Sequence, residues 1–189
     1  MNREDRRAVS REYFSEERLA EHHFRSFNNF LERGMQDVVT EKARIETDIG
    51  DKEGEEPVFV ELGDVRVVTP RVREADGSEE LLFPQEARLR NITYAAPVFM
   101  EMSIVRGGEE EEEMVVDTTE TKVGRMPIMV GSTKCNIHGL TDEELIEIGE
   151  DPVDPGGYFI VNGSERVLMT SEDLAPNKIL AEYDSKYGD

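Results

Sequence analysis

The stretch DPGGYFIVNGSERVL, residues 154–168, restricts the local fold more tightly than any other part of the chain. Residues 158–161 are aromatic or β-branched, and residues 166–168 resume an extended pattern. Asn162 and Gly163 between them supply the two positive φ angles of a type I′ turn. The sequence therefore predicts a β-hairpin with a two-residue turn, a local shape that by itself indicates no function.

Segments of strand character also fill the region between residues 43 and 123. Each is short, rich in Val, Ile, Thr, Phe or Tyr, and bounded by Gly, Pro or acidic residues: ARIETDI, PVFVEL, DVRVVTPRV, LRNITY, VFMEMSIV and MVVDTTETKV. Such a pattern is typical of antiparallel meanders. A last strand is predicted in KILAEYD, residues 178–184.

Two stretches have helical patterns instead. From Ser15, a possible N-cap, to Val39, apolar side chains recur at steps of three and four: Leu19, His23, Phe27, Phe30, Leu31, Met35 and Val38. Thr141 and Glu144 form a capping box that predicts a short helix at 142–148, ended by Gly149. The predicted fold class is α+β: an N-terminal amphipathic helix, then antiparallel meander strands and the β-hairpin.

The net charge of −21 is the strongest compositional signal. At molar salt the Debye length falls to about 3 Å, so that self-repulsion is screened and the carboxylates keep the surface hydrated. We therefore expect a halophile's cytoplasmic protein. The densest acidic runs, at 51–56, 75–80 and 107–113, fall between strand-like segments, where loop tips keep charge in solvent.

Targeting signals and classical catalytic motifs are not found in the sequence. No apolar run approaches the ~18 residues of a membrane span, and the first residues are charged where a signal peptide is apolar. The sequence has no GxxxxGK[ST], GxGxxG, GxSxG or HExxH motif. Cys135 and His138 have zinc-like spacing, but a structural zinc needs four ligands. We predict no catalytic residue, no metal ligand and no membrane contact.

Four stretches carry a resemblance to a known family. They are FRSFNNFLERGMQDVV (24–39), EARLRNITYAAPVFMEM (86–102), VGRMPIMVGSTKC (123–135) and the hairpin region 154–179. In this order they resemble the N-terminal part of the second-largest subunit of DNA-dependent RNA polymerase, in the archaeal split form called B″. The resemblance covers roughly residues 20–183.

The resemblance implies a place in a large enzyme. In this family these stretches build the protrusion domain, which forms part of the cleft wall near the upstream end of the RNA–DNA hybrid. A lobe domain is inserted just after the segment that matches residues 165–183. We accordingly expect an N-terminal tail at 1–14, the protrusion domain without its return segment at 15–183, and the boundary to the lobe at 184–189.

The resemblance also suggests which side chains face nucleic acid. The residues that follow the second strand of the hairpin approach the main channel of the polymerase, which makes candidates of Arg166, Met169, Thr170 and Ser171. The guanidinium of Arg166 suits a phosphate, but it suits equally a structural contact with Glu165, Asp173 or a carbonyl. Two further candidates, Arg88 and Arg90, are expected on one face of a strand.

In this family the catalytic groups lie in other parts of the enzyme, which the resemblance does not cover. The magnesium ions are held by carboxylates of the largest subunit, with basic residues from the C-terminal region of the second-largest. We therefore expect no cofactor in this chain and magnesium in the complete polymerase. The expected partners are the other polymerase subunits, template DNA and the RNA–DNA hybrid, with general transcription factors as further candidates.

Two other hypotheses compete with the polymerase interpretation. A freestanding acidic module would dock transcription factors or basic partners and fold without other subunits. A metal-dependent hydrolase would use Cys135, His138 and nearby carboxylates.

Overall fold

The computed structural model describes residues 2–16, 20–47, 49, 57–107, 114–169, 171–174 and 176–179. The helices are α1 (Arg3–Glu16), α2 (Glu21–Asn29), a π-helical turn (Phe30–Gly34), α3 (Met35–Glu41), α4 (Pro84–Leu89) and α5 (Asp142–Glu147). The strands are β1 (Arg44–Glu46), β2 (Val58–Val67), β3 (Arg71–Arg73), β4 (Glu79–Leu81), β5 (Ala95–Arg106), β6 (Met114–Pro127), β7 (Phe159–Val161) and β8 (Ser164–Arg166). In the described part of the chain, no helix is both long and apolar enough to cross a membrane.

The strands form an antiparallel sheet in the order β1-β2-β5-β6, with separate hairpins β3-β4 and β7-β8. The predicted α+β class is confirmed. PVFVEL and the first four residues of DVRVVTPRV join into one strand, β2, and the end of that segment falls in β3. The acidic run at 75–80 surrounds the β3-β4 turn, as expected for a loop tip. The other two acidic runs and most of the predicted strand KILAEYD lie outside the described residues.

The predicted strand LRNITY is wrong. Pro84 occupies the first turn of α4, where its missing N–H costs nothing, and the helix runs to Leu89. Asn91 follows with a φ of 53°, a left-handed conformation that Asn tolerates and that ends helices. The strand β5 begins only at Ala95.

The predicted N-terminal helix is confirmed from Glu21 to Glu41, but its buried face changes position along the helix. Phe24 and Phe27 are buried, and three turns after Phe27 an α-helix would present Val38 to the core. The π-helical turn inserts one extra residue. Val39 is therefore buried, at 8% exposure, whereas the predicted Val38 is 60% exposed.

The first residues are helical as well. Asn2 and Asp5 satisfy each other's backbone N–H groups, at 2.9 and 2.8 Å, in a reciprocal cap at the start of α1. Ser15 lies inside α1, so the prediction that it caps the following helix is wrong. Ala20 is the residue at the N-cap of α2.

Helix α3 packs on the sheet beside a β-bulge. The register between β2 and β5 shifts between Leu62 and Val65, which leaves backbone groups of β2 without ladder partners. The Gln36 side chain provides hydrogen-bond partners for two of these groups. Its Nε2 donates to the Gly63 carbonyl at 3.2 Å, and its Oε1 accepts from the Val65 N–H at 2.9 Å. One amide therefore joins the helix to the irregular part of the sheet.

Strand β6 is the long free edge of the four-stranded sheet, and it contains two irregularities. The register against β5 shifts at Val98/Phe99 and at Ile104/Val105, which places Val116 and Val123 as extra residues on the β6 side. Both valines are exposed. The six residues between them, 117–122, pair with β5 without a register shift.

The hairpin predicted within residues 154–168 is confirmed. Asn162 and Gly163 have φ angles of 50° and 75°, and β7 pairs with β8 around them. The Tyr94 N–H donates to the Ile160 carbonyl at 3.0 Å, and the Gly163 N–H donates to the Ile92 carbonyl at 3.1 Å. The hairpin is thus attached to the segment between α4 and β5, and Ile160 is buried in the core.

The predicted helix at 142–148 is also confirmed, as α5, with the Thr141–Glu144 capping box present. Gly149 follows with a φ of 82°. The core beside it contains Leu82, Tyr94, Ile128 and Met129.

We predict that Gly163→Ala destabilises the protein more than Gly139→Ala. Both glycines have a positive φ, 75° and 79°, which costs a non-glycine residue about 1–2 kcal/mol. A Cβ at Gly163 would also lie 2.8 Å from the Asn91 Cα, whereas nothing lies within 4 Å of one at Gly139. Steric overlap of this kind adds about 1–3 kcal/mol.

Urea unfolding in concentrated potassium chloride measures both variants. Equal losses of unfolding free energy would contradict the close approach of the hairpin turn to Asn91.

Candidate nucleic-acid interface

Arg88, one of the predicted nucleic-acid-facing residues, is held by three carboxylates from two other segments, the one after α5 and strand β8. Its Nε donates to Glu165 at 2.9 Å, and its terminal nitrogens lie 3.4 Å from Asp154 and 3.6 Å from Glu150. Arg88 also donates to the Tyr158 hydroxyl, which in turn donates to Asp154. We call Arg88, Glu150, Asp154, Tyr158 and Glu165 the Arg88 network.

The Arg88 network is partly buried: Glu150 is buried, Arg88, Asp154 and Tyr158 are half-buried, and Glu165 is exposed. Burial raises the pKa of Glu150 above its ordinary value, although the Gln85 N–H at 2.6 Å and the Arg88 guanidinium oppose that rise. Burial likewise raises the pKa of Tyr158, and hydrogen bonding to Asp154 adds to the effect. Burial lowers the pKa of Arg88, but its neighbours outweigh it, so the guanidinium stays charged.

Arg90 is also paired, at the surface. One terminal nitrogen lies 2.6 Å from Glu74 and 2.7 Å from Glu86. Hydrogen bonds to these two carboxylates raise the pKa of Arg90. The prediction that Arg88 and Arg90 lie on one face of a strand is wrong. Helix α4 contains Arg88, and Arg90 follows in the turn at the end of that helix.

Arg166 differs from both. It is exposed on β8, and within the described ranges no carboxylate lies within 4 Å of it. Neighbouring strand residues point to opposite faces, so the contact between Glu165 and Arg88 directs Arg166 to the other face. The structure therefore does not place Arg166 in contact with Glu165 or Asp173.

The other predicted residues follow Arg166 along the chain. Met169 is 87% exposed and Ser171 is exposed, while Thr170 lies outside the described residues. Val167, Leu168 and Leu174 in the same stretch are exposed as well. The structure thus brings Arg166, Met169 and Ser171 into one accessible stretch and keeps Arg88 inside the fold.

Cys135 and His138 have different surroundings. The Cys135 thiol is buried 3.3 Å from the Tyr94 hydroxyl, and burial raises the pKa of the thiol. His138 is exposed, with its Nδ1 3.3 Å from the Gly131 carbonyl. Among the residues that the structure describes, no three His, Cys, Asp or Glu side chains gather as metal ligands would.

Sequence reasoning missed Glu150, Asp154 and Tyr158 entirely. They lie 62 to 70 positions from Arg88 in the sequence, and nothing in their spacing indicates the contact. A local signal did exist for α4: Pro84, the Glu86–Arg90 pair at i,i+4 and Asn91 together indicate a helix rather than a strand.

Comparison with known proteins decides the family. Residues 18–182 match the family model described as RNA polymerase beta subunit. The chain belongs to the RNA polymerase beta subunit family. The resemblance drawn from the four motif stretches is therefore confirmed.

Several relatives of this polymerase-family chain are archaeal proteins. The protein named DNA-directed RNA polymerase subunit Rpo2N from Halobacterium salinarum is 87% identical over all 189 residues, which make up 36% of its own length. Rpo2N from Methanocaldococcus jannaschii is 44% identical over 93% of this chain and 34% of its own length. Subunit Rpo2 from Saccharolobus solfataricus is 44% identical over 95% of this chain and 15% of its own length. The chain spans about a third of the length of the Rpo2N relatives.

We predict that Arg88→Ala lowers the free energy of unfolding by about 3 kcal/mol, because it leaves the buried Glu150 carboxylate without its cation. The matched control is Arg90→Ala, which removes a surface ion pair exposed to solvent and should change stability little. Urea unfolding of both variants provides the comparison. An equal effect of the two substitutions would show that the Arg88 network is not a buried electrostatic unit.

We also predict a pH-dependent difference between the unsubstituted protein and Glu150→Gln. The folded-state pKa of Glu150 is raised above its ordinary value of 4.5. The stability that its protonated form contributes is present below about pH 4.5 and is lost as the pH rises through the folded-state pKa. Glutamine at position 150 stays neutral, so the Glu150→Gln variant does not lose stability through this ionisation as the pH rises.

The measurement is the unfolding free energy of both proteins across that pH range. The unsubstituted protein should become less stable relative to Glu150→Gln as the pH rises. A difference that does not change with pH would mean that Glu150 titrates alike in the folded and unfolded states.

Proposed function

We propose that this chain forms part of the second-largest subunit of an archaeal DNA-directed RNA polymerase and supports DNA-templated RNA synthesis in the cytoplasm. The family match over residues 18–182 carries the proposal, and the 87% identity to the Halobacterium salinarum Rpo2N supports it. In this proposal residues 15–183 belong to the protrusion domain, part of the cleft wall, and residues 184–189 begin the boundary to the lobe.

The proposed role is structural rather than catalytic. The described residues do not offer the clustered carboxylates that a magnesium ion prefers. The one cysteine is a buried thiol with a raised pKa, which suits neither a nucleophile nor a metal ligand. We infer that magnesium and the bond-forming step belong to other parts of the complete polymerase, and that this chain alone has no nucleotidyl-transfer activity.

Arg166 is the residue that we propose to meet a phosphate of template DNA or hybrid. Its guanidinium is exposed, unlike that of Arg88, and is not neutralised by neighbouring carboxylates, unlike that of Arg90. Met169, Thr170 and Ser171 would border the same contact. In this proposal Arg88 acts indirectly: it holds Glu165, the strand neighbour of Arg166, and thereby positions the hairpin.

Exposed apolar side chains favour a subunit over a freestanding module. Val167 and Leu168 are both 60% exposed, and Leu174 is 71% exposed. Soluble monomers rarely leave such runs in water, whereas protein–protein surfaces contain them. The other polymerase subunits are therefore the partners that we propose, and the comparisons support no role as an independent acidic module.

Co-purification tests the proposal. The full-length subunit, tagged in a halophilic archaeon and extracted in concentrated potassium chloride, should bring the other polymerase subunits with it. Abundant, folded subunit recovered without them would overturn the proposed function.

The same purified enzyme tests Arg166. Arg166→Ala should make the affinity for an RNA–DNA hybrid scaffold less salt-dependent, with the slope of log K against log salt smaller by about 0.7–0.9, as expected for one lost phosphate contact. Arg90→Ala removes an equal charge that Glu74 and Glu86 already neutralise, so its slope should match that of the unsubstituted enzyme. Equal slopes in all three enzymes would exclude the phosphate contact.

A further inference from the structure

Helix α1 gathers four arginines on one side, whereas its acidic residues Glu4, Asp5 and Glu12 fall on the rest of the helix circumference. Arg3, Arg6, Arg7 and Arg11 occupy four of nine consecutive positions, and all four are exposed. At 3.6 residues per turn, these arginines and Ser10 fall within a sector of about 140° around the helix. We call this sector the arginine face of α1.

Among the described residues, no ion pair neutralises the arginine face. Arg66 lies 2.8 Å from Glu120, and Arg88 and Arg90 each contact carboxylates. By contrast, no carboxylate within the described ranges lies within 4 Å of any arginine of α1. Four positive groups thus stand free of ion pairs in a protein whose net charge is −21.

The arginine face also has a defined shape. Arg3, Arg6, Arg7 and Ser10 line an open groove of about 430 Å³. Guanidinium groups are donors only, and the serine hydroxyl adds one more donor, so the groove suits an anion with several acceptor oxygens. The Asn2–Asp5 cap fixes the start of the helix, and Arg6 Nε donates to the Asn2 carbonyl at 3.3 Å.

The spacing of the arginines favours a phosphate polymer over an acidic protein surface. Arg3, Arg7 and Arg11 are four residues apart, so they rise by about 6 Å at each step and span about 12 Å along the helix. One strand of B-DNA presents three or four phosphates over about that length. A phosphate polymer repeats its negative charge at every nucleotide, whereas the carboxylates on a folded protein surface are interspersed with side chains of other kinds.

We propose that the arginine face of α1 binds the phosphate backbone of nucleic acid in the assembled polymerase. This inference rests on the proposed function, because it needs the complete enzyme and its template. The contact is sequence-independent, since guanidinium groups on phosphates determine position but do not read bases. It lies outside the residues that the family resemblance singles out.

The test uses polymerase assembled with the full-length subunit that carries Arg3→Gln, Arg6→Gln and Arg7→Gln together. Glutamine keeps the helix propensity while removing three charges. The matched control, Arg71→Gln with Arg73→Gln and Arg106→Gln, removes the same charge from exposed strand positions. The affinity of each enzyme for duplex DNA is measured across a potassium chloride series.

The expected result is a slope of log K against log salt that is smaller by about 2–3 for the α1 variant, with the control unchanged. Equal slopes for the two variants would overturn the inference, because the effect would then reflect net charge. Loss of other subunits from the α1 variant alone would also overturn it, by assigning the arginine face to a protein contact. Failure of the unsubstituted subunit to assemble would instead refute the proposed function.

Photo-crosslinking provides a second measurement. A benzophenone side chain in place of Arg7 should crosslink to a DNA strand in the assembled polymerase, whereas one in place of Ala8, which lies outside the arginine face, should not. A crosslink from position 7 to protein, or equal DNA crosslinks from both positions, would contradict the proposal.

Discussion

The guanidinium of Arg88 determines where the hairpin stands on the rest of the molecule. It lies at the end of helix α4 and meets carboxylates from the segment after α5 and from strand β8. Because Glu150 is buried, its carboxylate is costly without the Arg88 cation, so this contact is not easily broken. The orientation of β8, and with it the exposure of Arg166, therefore depends on a contact some 77 residues distant in sequence.

Local chemistry made part of this structure predictable. An Asn-Gly pair between two short extended segments closes a hairpin with a two-residue turn, and Thr141 with Glu144 defines a helix start by hydrogen bonds within four residues. In each of these cases the determining interactions lie within a few residues of one another.

The rest depended on contacts that no local pattern encodes. The π-helical turn moves the buried position from Val38 to Val39, because one inserted residue rotates everything after it. The partners of Arg88 are fixed only when α4 and the hairpin pack together. The candidate interface was predictable by resemblance, but its division into a half-buried, paired arginine, Arg88, and an exposed one, Arg166, required the three-dimensional structure.

The two irregularities of strand β6 limit what can attach to the open side of the sheet. The regular stretch between the two extra residues Val116 and Val123 is 117–122, DTTETK, which extends for about 20 Å. An incoming strand would find few aligned backbone groups there and would meet the carboxylate of Asp117, which repels another acidic chain. This long edge is thereby protected from sheet-to-sheet aggregation by its own irregularities and charge.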